Sequence, residues 1–202
     1  MTPRGARWNA LWRRLGAKPG DEALHELEAA YASPGRHYHT LGHLDAVLAT
    51  FDQLKHLASS PDLAELALWL HDVVWEPMRD DCEQRSVEWA MTHLPTLPDS
   101  SRLSALILET RHLAVPSVDP DAAVVRDADL AILAAEPSVF DAYEAAVRAE
   151  YFKVPEDQFR MGRAKVLSGF ADRRPLFFTP VMQARDAQAR PNLTRSLSAL
   201  ED

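Results

Sequence analysis

The string Arg36-His37-Tyr38-His39-Thr40-Leu41-Gly42-His43 gathers three of the chain's eight histidines, with His39 and His43 four residues apart. If a helix begins by residue 39, those two imidazoles share one face. His71-Asp72 follows 28 residues after His43, inside the apolar run Leu66-Ala67-Leu68-Trp69-Leu70-His71-Asp72-Val73-Val74-Trp75. An imidazole beside a carboxylate in such company is costly without a compensating partner. A divalent cation compensates both, because neutral imidazole and carboxylate are each good ligands for it. A further carboxylate comes from Arg126-Asp127-Ala128-Asp129-Leu130-Ala131-Ile132-Leu133. Asp127 and Asp129 point about 200° apart on a helix, so one of them faces a shared site. Asp129 has Val125, Ile132 and Leu133 at helical spacing, a bulkier flank than the alanines around Asp127, and is read as the inward one. The chemistry implied by the ordered set His, His-Asp, Asp is metal-assisted.

These residues need helices to bring them together. Glycine is scarce (7), and the 14 prolines fall mostly between apolar-periodic stretches, a pattern that punctuates helices. Periodicity predicts helices near 6–15, 20–32, 40–58, 61–74, 80–93, 99–112, 119–134, 137–152, 155–171 and 180–200. Ser33-Pro34-Gly35 and Arg173-Arg174-Pro175 break the chain, and Ser60-Pro61-Asp62 marks a helix start. No strand pattern, internal repeat or low-complexity linker is visible. The expectation is one all-α domain over 1–202, with a metal-site core at about 36–135 and C-terminal helices over about 137–202 packed on it. Trp69, Trp75 and Trp89 sit among apolar residues and read as core. His25, His56 and His93 read as surface or helix-end residues.

The composition, 47% hydrophobic and 26% charged, is that of an ordinary globular chain. A net charge of -8 argues against general nucleic-acid binding, which needs a broad basic surface. With one cysteine, Cys82, neither an intramolecular disulfide nor a thiolate cluster can form, so metal ligands must be His and carboxylate. No stretch approaches the roughly 18 apolar residues of a membrane span. Met1–Gly20 carries four arginines and no long apolar run, so it does not read as a secretory leader and a cytoplasmic location is expected.

The set His43, His71-Asp72, Asp129 resembles the H…HD…D signature of the HD superfamily of phosphohydrolases. Tyr38-His39-Thr40-Leu41-Gly42-His43 also resembles the Tyr-His-Asn-x-x-His opening of cyclic-nucleotide phosphodiesterases, distant relatives of HD enzymes, with Thr40 in place of Asn. Closer is the similarity to a bacterial family described as predicted metal-dependent HD phosphohydrolases. Its matching strings are Arg36-His37-Tyr38-His39-Thr40, Leu70-His71-Asp72, Asp81-Cys82-Glu83-Gln84-Arg85-Ser86 (with Cys82 where Asn is expected), Asp127 to Leu133 and Val147-Arg148-Ala149-Glu150-Tyr151. They cover the chain from about residue 24 onward.

The resemblance implies an HD-domain helical bundle with added N- and C-terminal helices. It implies a divalent metal ion (Mn, Mg, Zn, Fe, Co or Ni) held by His43, His71, Asp72 and Asp129. The expected activity is hydrolysis of a small phosphorylated substrate, with a nucleotide in view, by attack of a metal-bound hydroxide on phosphorus. His39 becomes the general acid, and Asp72 or Asp129 takes a proton from the water. Arg36, Arg148 and Arg163 are candidates for gripping phosphate, Glu83 for holding water, and His112 for lining the pocket or joining a second metal. Two other functions fit the same residues: a non-catalytic HD-fold sensor or interaction module, and an HD-type iron oxygenase, for which His112 and Glu83 would supply extra ligands. Segment 180–200 is amphipathic and suits either packing on the core or a homodimer.

Overall fold

The computed structural model describes residues 2–20, 22–94, 96–97, 99–112 and 118–201. Among them there are eleven α-helices and no strand, so the fold is all-α as the composition predicts. The helices are α1 Pro3–Arg14, α2 Ala23–Tyr31, α3 Leu41–Leu54, α4 Pro61–Leu70, α5 Cys82–His93, α6 Ser100–Leu108, α7 Pro120–Asp129, α8 Pro137–Glu150, α9 Glu156–Ala171, α10 Pro180–Gln183 and α11 Asp186–Glu201. Short 3-10 turns extend α3, α6 and α7, at Lys55–Leu57, Glu109–Arg111 and Leu130–Ala134.

Helix α4 is the central element, and every residue from Ala64 to Leu70 is buried. It packs on α3 and α7, which carry His43 and Asp129, and on α6 and α1. Trp69 meets Trp8 of α1 edge-on with centroids 5.2 Å apart, and Trp8 meets Trp12 at 5.5 Å. Such edge-to-face rings contribute about 0.5–1.5 kcal/mol per pair beyond their area. The buried Glu65 carboxylate is bracketed by Arg7 and Arg14 of α1, each at 2.7 Å. The N-terminal helix is therefore anchored to the core by both packing and charge.

Two predicted boundaries move. The apolar run through Trp75 reads as helix to 74, yet α4 stops at Leu70. The backbone groups beyond it find other partners: Arg36 takes the carbonyls of Asp72 and Val73, and Ser86 Oγ accepts from Val74 N. Segment 180–200 is two helices, α10 and α11, split at Ala184-Arg185. Helix α11 packs on α9 and on the 130–134 turn. Asn192 ties it down by donating to the carbonyls of Leu133 and Ala135 at 3.0 and 2.8 Å. One core cluster runs continuously from Trp8 to Leu193. No helix among the described residues is long and apolar enough to cross a membrane.

Candidate metal centre

His43 stands in the first turn of α3, which starts late because Thr40 caps it: backbone at Thr40 is extended and its hydroxyl accepts from Gly42 N at 3.3 Å. His39 is therefore not on the helix face it was expected to share with His43. It reaches the site from the turn ahead, its ring centroid 5.8 Å from that of His43. His71 and Asp72 follow the last residue of α4. His71 keeps helical backbone (φ -55°, ψ -39°), and its Nε2 lies 3.0 Å from Asp72 Oδ2. Asp129 is the last residue of α7.

The four side chains meet closely. His43 Nε2 lies 3.2 Å from His71 Nε2, 3.4 Å from Asp72 Oδ2 and 3.3 Å from Asp129 Oδ1. His71 Nε2 lies 3.0 Å from Asp72 Oδ2 and 3.4 Å from Asp129 Oδ1. Donors each about 2.1 Å from one ion stand ~3.0 Å apart at right angles and ~3.4 Å apart at the tetrahedral angle. The observed spacings fall in that interval. His71 Nδ1 contacts the Leu68 carbonyl at 2.8 Å, which fixes the proton on Nδ1 and turns the Nε2 lone pair toward the cluster. Two imidazole nitrogens face each other between two carboxylates, an arrangement that a cation between them would satisfy. The His43-His71-Asp72 set can hold a metal ion, and Asp129 Oδ1 stands 3.3 and 3.4 Å from its two imidazole nitrogens.

The electrostatics agree. Burial opposes charging His43 and His71, but hydrogen bonds and attraction from Asp129 and Asp72 outweigh it, and both imidazoles are raised above their ordinary range, His71 well above. Burial likewise opposes ionising Asp72 and Asp129, and the surrounding histidines, His71 foremost, hold both far below it. The cluster strongly favours cationic company for ionised carboxylates.

Around it lies a cleft of about 880 Å³, lined by His39, Asp72 and Asp129 at the cluster and by residues of α8 and α9 opposite. His112 takes left-handed backbone (φ 54°) after the 109–111 turn and sets Nε2 2.8 Å from Asp129 Oδ2. Its carbonyl accepts from Arg173. Glu83, in the first turn of α5, lines the same cleft; burial raises its pKa and the charge of Asp72 adds to this. Arg163 lines the cleft from α9, with its guanidinium engaged by Glu144 and by Tyr143 Oη.

The structure corrects two phosphate-gripping assignments. Arg36 spends its donors on Ser33 Oγ and on the carbonyls of His39, Asp72 and Val73, so it is a clamp for the two loops that carry the site. Arg148 spends its donors on Glu156 and on the carbonyls of Tyr151 and Val154, and does not itself line the cleft. Trp75 is not core either: it stacks on His39 with centroids 3.6 Å apart and lines the cleft. Trp89 is half-buried and stacks on His93, while His25 and His56 are exposed. Asp127, expected to face away from the interior, is fully buried, and accepts from Phe178 N, Thr179 N and Thr179 Oγ1.

Sequence reasoning missed Glu150. At the end of α8 its buried Oε1 accepts from the backbone N–H groups of His37, Tyr38 and His39 at 2.8, 2.8 and 2.9 Å. Its Oε2 lies 2.7 Å from His39 Nδ1 and accepts from Trp75 Nε1 at 3.1 Å. Burial works to raise its pKa, but His39 and the three amides win and hold it at about 2. A signal was present: Phe140, Tyr143, Val147 and Glu150 are spaced 3, 4 and 3 residues apart, which puts a carboxylate in an apolar stripe.

No family model, curated protein or solved structure matches this chain.

Proposed function

We propose that the chain is a metal-dependent phosphohydrolase of the HD superfamily, acting on a small phosphorylated substrate. The observation that carries this reading is the four-donor cluster of His43, His71, Asp72 and Asp129 opening directly into a cleft that also holds His39 and Glu83.

Those four residues would hold a divalent cation, drawn from Mn, Fe, Co, Ni, Zn or Mg. When bound, such an ion polarises a phosphoryl oxygen and lowers the pKa of water. The remaining work falls to the chain. Asp72 and Asp129, held far below the usual carboxylate range, are poor proton acceptors and serve as ligands. Glu83, with its raised pKa, is the better-matched acceptor for a proton from the attacking water. His39 is oriented by Glu150 at Nδ1, which leaves Nε2 to give a proton to the departing oxygen. Arg163 supplies positive charge at the far wall, tempered by Glu144.

The test is hydrolysis of a generic aryl phosphate and of a nucleotide panel by metal-loaded wild type and Asp72→Ala. The expected outcome is turnover by the wild type and a loss of at least about 10²-fold in the variant. Metal without turnover on any phosphate ester would contradict the phosphohydrolase reading, and an iron-dependent absorption band would redirect it to oxygenase chemistry.

A further inference from the structure

Away from the cluster the cleft changes character. Its α8 and α9 wall sets Val147, Phe159, Val166 and Phe170 beside Gln158, Arg163 and Lys165, and Met78, 72% exposed, lines it too. Met78 adopts φ 71°, a left-handed conformation uncommon for a long side chain and costing about 1–3 kcal/mol. Val166 is 47% exposed on a helix face that looks into the cleft. Large apolar groups held open to solvent beside a polar centre mark a binding surface.

The charges along the same lining are balanced. Among the described residues four carboxylates (Asp72, Asp80, Glu83, Asp129) face four cations (Arg79, Arg111, Arg163, Lys165). Three of the cations are already engaged: Arg79 by Asp81, Arg111 by the Asp80 carbonyl and Arg163 by Glu144. A divalent ion at the cluster would supply the positive charge that a phosphate dianion needs. The volume of about 880 Å³ far exceeds a phosphate and suits a body of drug-like size.

We propose that the substrate is a phosphate monoester with a bulky apolar body, aromatic or branched alkyl, seated between Met78 and the α8–α9 wall. This rests on the phosphohydrolase reading and narrows it.

The experiment is calorimetric binding of three non-hydrolysable probes to the metal-loaded protein: methylphosphonate, naphthylmethylphosphonate and a nucleoside triphosphate analogue. It is run on wild type, Val166→Asn and Met78→Asn; both positions are exposed, neither change adds charge, and Asn suits positive φ. The expected result is naphthylmethylphosphonate binding at least about tenfold tighter than methylphosphonate, with most of that advantage lost in the two variants and methylphosphonate unaffected. Equal affinity for the two phosphonates, or tighter binding of the triphosphate analogue, overturns this inference while leaving phosphate-ester hydrolysis standing. An advantage that survives both variants places the body elsewhere and also overturns it. No binding of any phosphonate, together with no turnover of aryl phosphates, sinks the phosphohydrolase reading and this one with it.

Discussion

Two imidazole nitrogens 3.2 Å apart, at His43 and His71, between the carboxylates of Asp72 and Asp129, define the residue scale of this molecule. Their geometry depends on residues that touch no ligand atom. Glu150 gathers three consecutive amides of the 37–39 turn and a ring nitrogen of His39. Replacing a buried, multiply hydrogen-bonded carboxylate by an amide removes its charge and sets an N–H against the Trp75 donor. Glu150→Gln is therefore expected to cost about 1–3 kcal/mol of stability, read by denaturant unfolding. Because the folded pKa of Glu150 is depressed from 4.5 to about 2, its contribution is present above pH 4.5 and is lost as pH falls through that interval. Acid unfolding of the wild type should show a component in that window that Glu150→Gln lacks. Identical acid profiles for the two proteins would contradict the role given to Glu150.

At the scale of elements, the site is made by helix ends. Helix α3 begins at a Thr40 cap, α4 stops before His71, and α7 ends at Asp129. The ligand-type residues were legible because each stands out from apolar surroundings at helical spacing. The carboxylate in the α8 stripe was not singled out, since a lone Glu near a helix end ordinarily meets water. The ending of α4 was illegible for a different reason: Arg36, 36 residues away, captures the Asp72 carbonyl, and local periodicity carries no trace of so remote a partner. Asp127 and Asp129 show how neighbouring carboxylates divide their work, the first holding the strand of chain before α10 and the second facing the cluster. Asp127→Ala leaves the Phe178 and Thr179 donors unpaired, and is expected to destabilise by about 2–4 kcal/mol while metal content is retained. Thermal unfolding and metal analysis on the same sample check it. Loss of metal with unchanged stability would mean the two aspartates have been given each other's roles.

At the scale of the whole molecule, a continuous core from Trp8 to Leu193 holds three helix ends at ligand distance without any ligand among them being covalently tied. The N-terminal helix locks onto α4 through Trp8 and Glu65, and α11 locks onto the turn following α7 through Asn192. Both terminal helices thus brace elements that supply the cluster. The all-helical class was legible from glycine and proline placement, while this bracing needed the three-dimensional packing to be seen.

His43, His71, Asp72 and Asp129 are proposed to form a metal centre. The most direct measurement is the metal content of purified protein after exposure to Mn, Fe, Co, Ni, Zn and Mg in turn, for wild type, His71→Ala and Asp72→Ala, with helical content followed in parallel. About one tightly held divalent ion per wild-type chain is expected, with its loss from both variants and helical content preserved. A wild type that retains none of these ions, or variants that retain the ion as the wild type does, would contradict this proposal.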